Sequence, residues 1–247
     1  FLGQLWAAAA SGYVGVRFGK QILNSDDSLL GPLLKKTSIL GLLFEMRGGP
    51  LKGLRYYYDI LPKATTVLKG STADFEASIN YSRHVIGFSW DFDPKLIVDR
   101  VTIDPKLGIW TFNAKLPIPD PDDKKTVLEM ADFTLGRTFA LGLEVGLEKL
   151  SDWYTIRGWY GLNTGFSLLK SGGKVTSNRF GIDAYFTAGP TLPLLGLKLK
   201  TALLGFYYFE NVDLTSNTVK ASDTDPAVIS GVSYAAGYAG AGLALSW

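Results

Sequence analysis

Apolar and polar side chains alternate one by one along most of this sequence. In the segment 39–47, Leu40, Leu42 and Phe44 fall on one face of an extended chain, and Glu45 and Arg47 fall on the other. Successive side chains of a β-strand point to opposite faces, so this period of two indicates strands with one apolar and one polar face. The same pattern recurs at 12–23, 54–60, 75–82, 86–93, 110–116, 139–148, 153–166, 179–187 and 197–203. The stretch 97–103 is a further candidate strand whose facing is ambiguous. With a final strand that reaches residue 247, the pattern predicts an all-β chain of about twelve strands, with ten to fourteen compatible.

The apolar faces are rich in aromatic rings and carry no charge. Aromatic residues make up 13% of the chain and apolar residues 47%, which gives more apolar strand faces than one modest core can cover. A soluble sandwich or barrel also alternates, but it buries its apolar faces together. A closed antiparallel transmembrane β-barrel instead turns them toward lipid and encloses the polar faces. We expect such a barrel over residues 11–247. The side chains expected to face outward include Phe75, Ala77, Ile79, Tyr81, Trp110, Phe112, Ala114 and Leu116.

The segments between the strands alternate in length. Longer or more polar connections are predicted at 24–37, 61–73, 117–126, 169–177 and 211–228. Short connections are predicted at 48–53, 83–85, 104–107 and 149–152. The tripeptide Asp-Pro-Lys occurs at 93–95 and again at 104–106, and Asp and Pro both favour turns. Short turns on one side and longer loops on the other are typical of barrels in membranes.

The polar faces carry charges of both signs. Lys plus Arg number 25 and Asp plus Glu number 23, so the net charge of +2 gives no basic footprint for nucleic acid. The side chains predicted to line the interior are Arg17, Glu45, Arg47, Arg55, Asp59, Glu76, Asp91, Lys115, Glu144, Arg157, Arg179, Asp183, Lys198 and Lys200. We expect this interior to form a narrow channel for small polar or charged solutes. Because the signs balance, a salt-bridged lumen with little conduction is the alternative. A non-conducting structural or docking barrel with a protein partner is a further alternative.

The end of the chain carries a short motif. Gly242, Leu245 and Trp247 fit the pattern Gly-x-x-apolar-x-aromatic, with the aromatic residue last. This resembles the C-terminal insertion signal of bacterial outer-membrane β-barrel proteins, and no narrower family is indicated. The resemblance implies an outer-membrane location with both termini in the periplasm. It also implies contact with outer-membrane lipid and lipopolysaccharide, and insertion by the barrel-assembly machinery. A transmembrane helix over 226–247 is the competing interpretation, which four glycines disfavour.

The first ten residues stand apart from the strand pattern. The run Ala7–Ala10 tolerates a helix, and residues 1–10 form either an N-terminal extension or a plug of the lumen. Small residues share one face of the last strand and would leave room for such a segment; they are Ala236, Gly240, Gly242 and Ala244. The expected organisation is therefore a short leading segment followed by one barrel.

Few residues could support metal or catalytic chemistry. There is no cysteine and only one histidine, His84, so no metal site and no cofactor is expected. A lipid-modifying hydrolase of the outer membrane is the enzymatic alternative, in which His84 would act with Ser82 or Ser89. No family motif surrounds these residues, so we expect no catalytic site.

Overall fold

The computed structural model describes residues 11–24, 33, 35, 37–70, 74–94, 97–119, 122, 127–166, 173–194, 197–216, 227–228 and 231–247. Most of these residues are in strands, which confirms the all-β class. The strands are β1 Gly12–Asn24, β2 Ser38–Met46, β3 Leu54–Lys69, β4 Asp74–Phe88, β5 Trp90–Phe92, β6 Arg100–Pro119, β7 Val127–Leu150, β8 Tyr154–Phe166, β9 Lys174–Leu194, β10 Leu197–Thr215, β11 Ala227–Val228 and β12 Gly231–Ser246. Within the described part of the chain, no helix is long and apolar enough to cross a membrane.

The strands close into one antiparallel barrel. Its wall follows the order β1-β2-β3-β4-β6-β7-β8-β9-β10-β12, and β12 pairs with β1 to complete the ring. The short β5 pairs with β6 and continues the line of β4, while β11 pairs in parallel with β7 and adds no strand to the wall. The wall therefore has ten strands, within the expected range of ten to fourteen. Residues 231–246, for which a helix was the alternative, form a strand of that wall.

A proline explains the one interruption in the line of β4 and β5. Both pair with β6 in the same register, through Gly87 with Lys106 and then Trp90 with Ile103. The missing pairs lie opposite Pro105, which has no N–H to donate to a neighbouring strand. The second Asp-Pro-Lys tripeptide therefore lies inside β6, and the turn predicted at 104–107 is wrong.

Two other predicted connections are also strand. Residues 83–85 lie within β4, and β3 continues to Lys69 where a long loop was expected from residue 61. Pairing with the neighbouring strands keeps both segments extended, without a break at 83–85 and with one irregularity in β3 around Pro62. By contrast, the predicted short connection at 48–53 is a turn, with Gly49 and Gly53 at positive φ.

The first and last wall strands meet at one end of the barrel. The N–H of Gly12 donates to the carbonyl of Trp247 at 3.0 Å, and the N–H of Trp247 donates to the carbonyl of Gly12 at 3.2 Å. We call this the terminal end and the opposite one the distal end. Because consecutive wall strands are antiparallel, the connections after β2, β5, β7 and β9 lie at the terminal end. Those after β1, β3, β6, β8 and β10 lie at the distal end.

Candidate functional site: the barrel interior and its two halves

The outer surface of the terminal half is an apolar belt. Its side chains are between 38% and 63% exposed, on every strand of the wall except β3. From Phe139 to Leu147, β7 rises about 20 Å along the barrel axis at about 3.3 Å per residue and a tilt of about 40°. The belt comprises Val14, Val16, Phe18, Leu40, Leu42, Ile86, Phe88, Trp90, Leu107, Phe139, Leu141, Leu143, Val145, Leu147, Ile156, Tyr160, Leu162, Phe180, Ile182, Phe186, Leu203, Leu243 and Leu245.

The outer surface of the distal half is mostly polar. Large apolar side chains such as Val67 and Phe166 are few there. The hairpin of β6 and β7 extends about 20 Å past the belt, from Thr111 to Pro119 on β6. The outward polar side chains of this half include Thr65, Lys69, Glu76, Ser78, Asn80, Asn113, Lys115, Asp132, Thr134, Arg137, Lys174, Thr176, Asn178, Asn211, Asp213, Thr215 and Ser233.

The interior has the opposite polarity in each half. Inside the terminal half, eight cationic and eight anionic side chains of the described residues are buried or nearly so. The cations are Arg17, Arg47, Arg55, Arg83, Arg100, Lys106, Arg157 and Arg179. The anions are Glu45, Asp59, Asp91, Asp104, Glu144, Glu148, Asp183 and Glu210. Inside the distal half lies an apolar core that includes Leu61, Leu68, Ala77, Ile79, Tyr81, Phe112, Ala114, Leu116, Phe133, Leu135, Val175, Val212, Leu214, Val232 and Tyr234.

Because the two halves have opposite polarity, the orientations expected for β4 and β6 are wrong in the distal half. Ala77, Ile79 and Tyr81 were expected to face outward but are buried inside, as are Trp110, Phe112, Ala114 and Leu116. Glu76 and Lys115 were expected inside and instead lie exposed on the outer surface. The strands do not flip, because even-numbered residues of β6 face inward from Thr102 to Leu116. The chemistry of each face changes along the strand, so an apolar face is not an outward face over its whole length.

The buried charges form a dense network in which several side chains share partners. Arg55 on β3 contacts Asp104 and approaches Glu148 at 3.0 Å and Glu45 at 3.4 Å. Arg157 on β8 lies 2.6 Å from the Asp104 carboxylate. Lys106 is paired with Glu144, which also accepts a hydrogen bond from Arg157 at 2.7 Å. Sharing of this kind compensates for the free energy of removing each charge from water.

Contacts also join strands that lie directly opposite each other in the ring. In a ring of ten, β4 and β10 are five places apart, as are β2 and β8, and β6 and β12. Arg83 of β4 donates to Glu210 of β10 at 2.8 Å. Nearer the terminal end, Arg47, just after β2, donates to Thr155 of β8 at 3.0 Å. Nearer the distal end, the rings of Phe112 and Tyr234 are stacked with centroids 6.1 Å apart. Side chains therefore span the lumen at three levels.

A small polar cavity remains inside the network. Its volume of about 30 Å³ has room for about two water molecules. Arg17, Asp59, Arg179 and Asp183 border it, together with Trp159 from β8. The alternation along β8 places Trp159 on the inner face despite its size, and the structure buries it there. The cavity is far smaller than a solute path through the barrel would need.

The predicted interior residues fall into four groups in the structure. Asp91 lies at the terminal mouth, 3.3 Å from Lys52 and 3.1 Å from Arg100. Lys198 and Lys200 are exposed where β10 begins, and they do not join the buried network. Glu76 and Lys115 lie on the outer surface. The network contains Arg17, Glu45, Arg47, Arg55, Asp59, Glu144, Arg157, Arg179 and Asp183.

Three buried charges were missed because their segments were assigned to turns. Arg83 lay in the predicted connection 83–85, and Asp104 and Lys106 lay in the predicted connection 104–107. The signal was present in the alternation of the sequence. Arg83 is eight residues before Asp91, which was expected inside, and an even separation along an unbroken strand would have placed both on the same face.

The residues considered for hydrolysis are not arranged as a catalytic pair. His84 lies exposed on the outer face of β4, where its Nδ1 is 2.9 Å from the Tyr56 hydroxyl and its ring stacks on Tyr58. The Ser82 hydroxyl is bonded to that of Thr111 at 2.7 Å, and Ser89 is buried. No group of three metal-ligating side chains occurs among the residues that the structure describes.

The C-terminal motif lies in the last strand of the wall. Leu245 is exposed on the outer face of β12, while Gly242 packs so closely on β1 that a Cβ would clash with the carbonyl oxygen of Val16.

The extension or plug predicted over residues 1–10 lies outside the described residues. At Gly19 and Gly41, inward space is filled by Phe206 and Arg17 respectively.

Comparison with known proteins adds little to this geometry. No family model matches the sequence, and no curated protein matches it. A solved structure that aligns over 98% of both chains is that of Pseudomonas aeruginosa OccK9 (OpdG), at 8% sequence identity and a TM-score of 0.15. A likeness of this size carries no argument about fold, and the closed barrel is established by its strand pairing alone.

Proposed function

We propose that this chain is an outer-membrane barrel with a closed interior, which holds its distal half beyond the lipid as a rigid platform for a protein partner. The observation that carries the proposal is the set of contacts that span the lumen. Strands on opposite walls are joined by the Arg83–Glu210 and Arg47–Thr155 hydrogen bonds and by the Phe112–Tyr234 stack. A solute would have to pass these contacts at all three levels.

The inversion of polarity supports embedding of the terminal half in lipid. An apolar exterior about 20 Å tall is close to the band of about 25 Å found on outer-membrane barrels. A water-soluble protein would leave this whole belt exposed, far beyond the apolar patches that soluble monomers carry. The distal half has the polarity of a soluble barrel, with apolar residues inside and polar residues outside. We infer that it stands in water above the membrane surface.

The topology supports a role for the distal end. Five connections between wall strands leave from that end, and the apolar core beneath them fixes the strands from which they start. In the orientation inferred from the insertion-signal resemblance, the terminal end lies in the periplasm and the distal end outside the cell. A rigid barrel end that carries several connecting segments is suited to presenting residues that recognise a partner.

A narrow channel is the second candidate, and the polar cavity favours it. That cavity lies among Arg17, Asp59, Arg179 and Asp183, so the centre of the network has space for water. Conduction would require side chains to rearrange, above all Arg83 and Glu210. The balance of charges in the lining would give such a channel little selectivity between small cations and anions.

Conductance in planar bilayers distinguishes these candidates. The full chain is expected to be silent, under conditions in which a known porin gives discrete steps. Folding is checked on the same sample by a β-sheet circular dichroism spectrum and by an electrophoretic mobility that changes on heating. Discrete steps from the full chain would overturn the closed-barrel proposal. Steps that arise only after deletion of residues 1–10 would show that this segment closes a channel.

Cysteine labelling tests the orientation, since the chain has no cysteine of its own. Lys35 is exposed in the connection after β1, and Ser151 is exposed in the connection after β7, at opposite ends. A membrane-impermeant maleimide added to intact cells should label Lys35→Cys. It should label Ser151→Cys only after the outer membrane is permeabilised. The reverse pattern would contradict the orientation, and equal labelling in intact cells would contradict membrane embedding.

A further inference from the structure

An open groove on the barrel exterior lies across the boundary between the apolar belt and the polar distal surface. It has a volume of about 530 Å³ and is formed by β7, β8, β9 and β10. This size is within the range of small-molecule sites. The outward side chains that form it are Leu141, Leu143, Leu162, Thr164, Thr176, Asn178, Asn211 and Asp213.

The strand register places these side chains in two neighbouring rows. One row runs Leu143, Leu162, Asn178, Asn211, and each member is the direct cross-strand partner of the next. Cross-strand partners have Cβ atoms about 5 Å apart, so the row is continuous. Because the strands are tilted, a row perpendicular to them climbs the barrel. The row therefore passes from belt to distal surface within one groove.

The second row lies slightly nearer the distal end, and it too changes from an apolar side chain to polar ones. It runs Leu141, Thr164, Thr176, Asp213, again through direct cross-strand partners. Leu141 is 63% exposed, so the apolar side of the groove is open to a ligand. The polar side offers two amides, two hydroxyls and one carboxylate, and no Lys or Arg is among the side chains that line the groove.

We propose that this groove binds a glycolipid, with an acyl chain along the three leucines and an uncharged sugar headgroup against the asparagines, threonines and Asp213. Amides, hydroxyls and a carboxylate can between them donate to and accept from sugar hydroxyls. A phosphate headgroup would meet the Asp213 carboxylate with no cation in the groove to pair with it. The assignment depends on the lipid embedding inferred under the proposed function.

A second groove on the same barrel shows what distinguishes this one. It has a volume of about 490 Å³ and lies wholly within the belt, between Val16, Leu42 and Leu243 among others. Nearly all of its side chains are apolar, so it accommodates any acyl chain and has no means of selecting a headgroup. Of these two grooves, only the one across the boundary presents both kinds of surface.

Native mass spectrometry of the full chain tests the proposal. The purified barrel is offered equal amounts of a diglucosyl diacylglycerol, a phosphatidylglycerol and a phosphatidylethanolamine with identical acyl chains. The wild type should retain the glycolipid preferentially. Asn178→Leu combined with Asn211→Leu removes two hydrogen-bonding side chains, which should lower this preference roughly 10-fold. The matched control is Asn80→Leu with Asn113→Leu, a cross-strand asparagine pair on β4 and β6 outside the groove, which should leave the preference unchanged.

The controls separate failure of the groove from failure of lipid embedding. All variants are first floated with vesicles. A wild type that does not float contradicts the embedding itself. A wild type that floats but retains the three lipids equally contradicts the groove assignment alone, as does equal loss of preference in both double variants. Preferential retention of phosphatidylethanolamine would also overturn it, since it would show that Asp213 selects an amine.

Discussion

The contact between Arg83 and Glu210 offers the sharpest test of the interior. Arg83 is 1% exposed, and it lies 2.8 Å from both Asp59 and Glu210. The change Arg83→Met keeps a long apolar side chain but leaves both carboxylates short of a partner. Asp59 retains Arg17 at 2.7 Å, while Glu210 retains Arg179 at 3.4 Å and a hydrogen bond from the Tyr81 hydroxyl at 3.3 Å. Glu210 is therefore the carboxylate that loses most of its compensating positive charge.

The magnitude follows from the cost of a buried unpaired charge. Removing one partner of a buried ion pair costs about 3–5 kcal/mol. Because other cations remain near both carboxylates, we expect Arg83→Met to lower the free energy of unfolding by about 3 kcal/mol. Adding Glu210→Gln removes the charge left behind. The double variant should therefore be less destabilised than the sum of the two single variants, with a coupling of about 2 kcal/mol.

Urea unfolding in lipid vesicles, followed by tryptophan fluorescence, measures these differences. The control is Lys149→Met, which breaks the exposed pair between Lys149 and Asp99, 51% and 36% exposed. An exposed pair contributes about 0–1 kcal/mol, so the control should change stability little. An Arg83→Met variant no less stable than this control would show that the buried pair does not stabilise the barrel. Additive single and double variants would show that Arg83 and Glu210 are not coupled.

Three further predictions concern the two halves and the terminal mouth. Leu143→Lys in the belt should lower the free energy of unfolding in vesicles by about 2–4 kcal/mol. Asn113→Lys on the distal surface should change it by less than about 0.5 kcal/mol. Equal effects of the two variants would contradict the placement of the lipid boundary. Phe112→Ala in the distal core should cost about 3–5 kcal/mol in the same unfolding assay, and a loss below about 1 kcal/mol would mean that this core is not packed. The N–H of Leu150 and the Lys149 ammonium hold the pKa of Asp99 below its ordinary value, so this carboxylate stabilises the fold above about pH 4 and less as the pH falls further. Asp99→Asn should remove that part of the acid dependence in unfolding curves measured between about pH 3 and pH 6, roughly the range over which an aspartate titrates; an unchanged acid dependence would exclude a contribution from this carboxylate.

The period-two pattern was most informative where the barrel wall is apolar outside. In β1, β2 and β7 it placed Arg17, Glu45 and Glu144 on the inner face, and the structure buries all three. Local alternation is sufficient there because a strand has only two faces, and the apolar one is the outer face throughout this half. The number of strands was less well determined, since β5 and β11 are short pieces that add nothing to the ring.

The same pattern was misleading in the distal half, where Ile79 and Phe112 turn inward. Alternation shows that two faces differ, and it does not show which face is enclosed. That choice depends on the height of a residue along the barrel axis, which follows from strand tilt and register over the whole ring. Turn signals such as Asp104-Pro105 were misleading for a related reason, because hydrogen bonds to strands distant in sequence kept the chain extended.

The sequence alone determined the all-β class, the single barrel and the facing of most strands in the terminal half, because these depend only on neighbouring residues. The tertiary structure decided which half encloses charge, and it brought Arg83 to Glu210 and Arg47 to Thr155 across the lumen. Those partners are 127 and 108 residues apart. Their meeting depends on ring closure and on the register of all ten strands, and no local pattern contains that information.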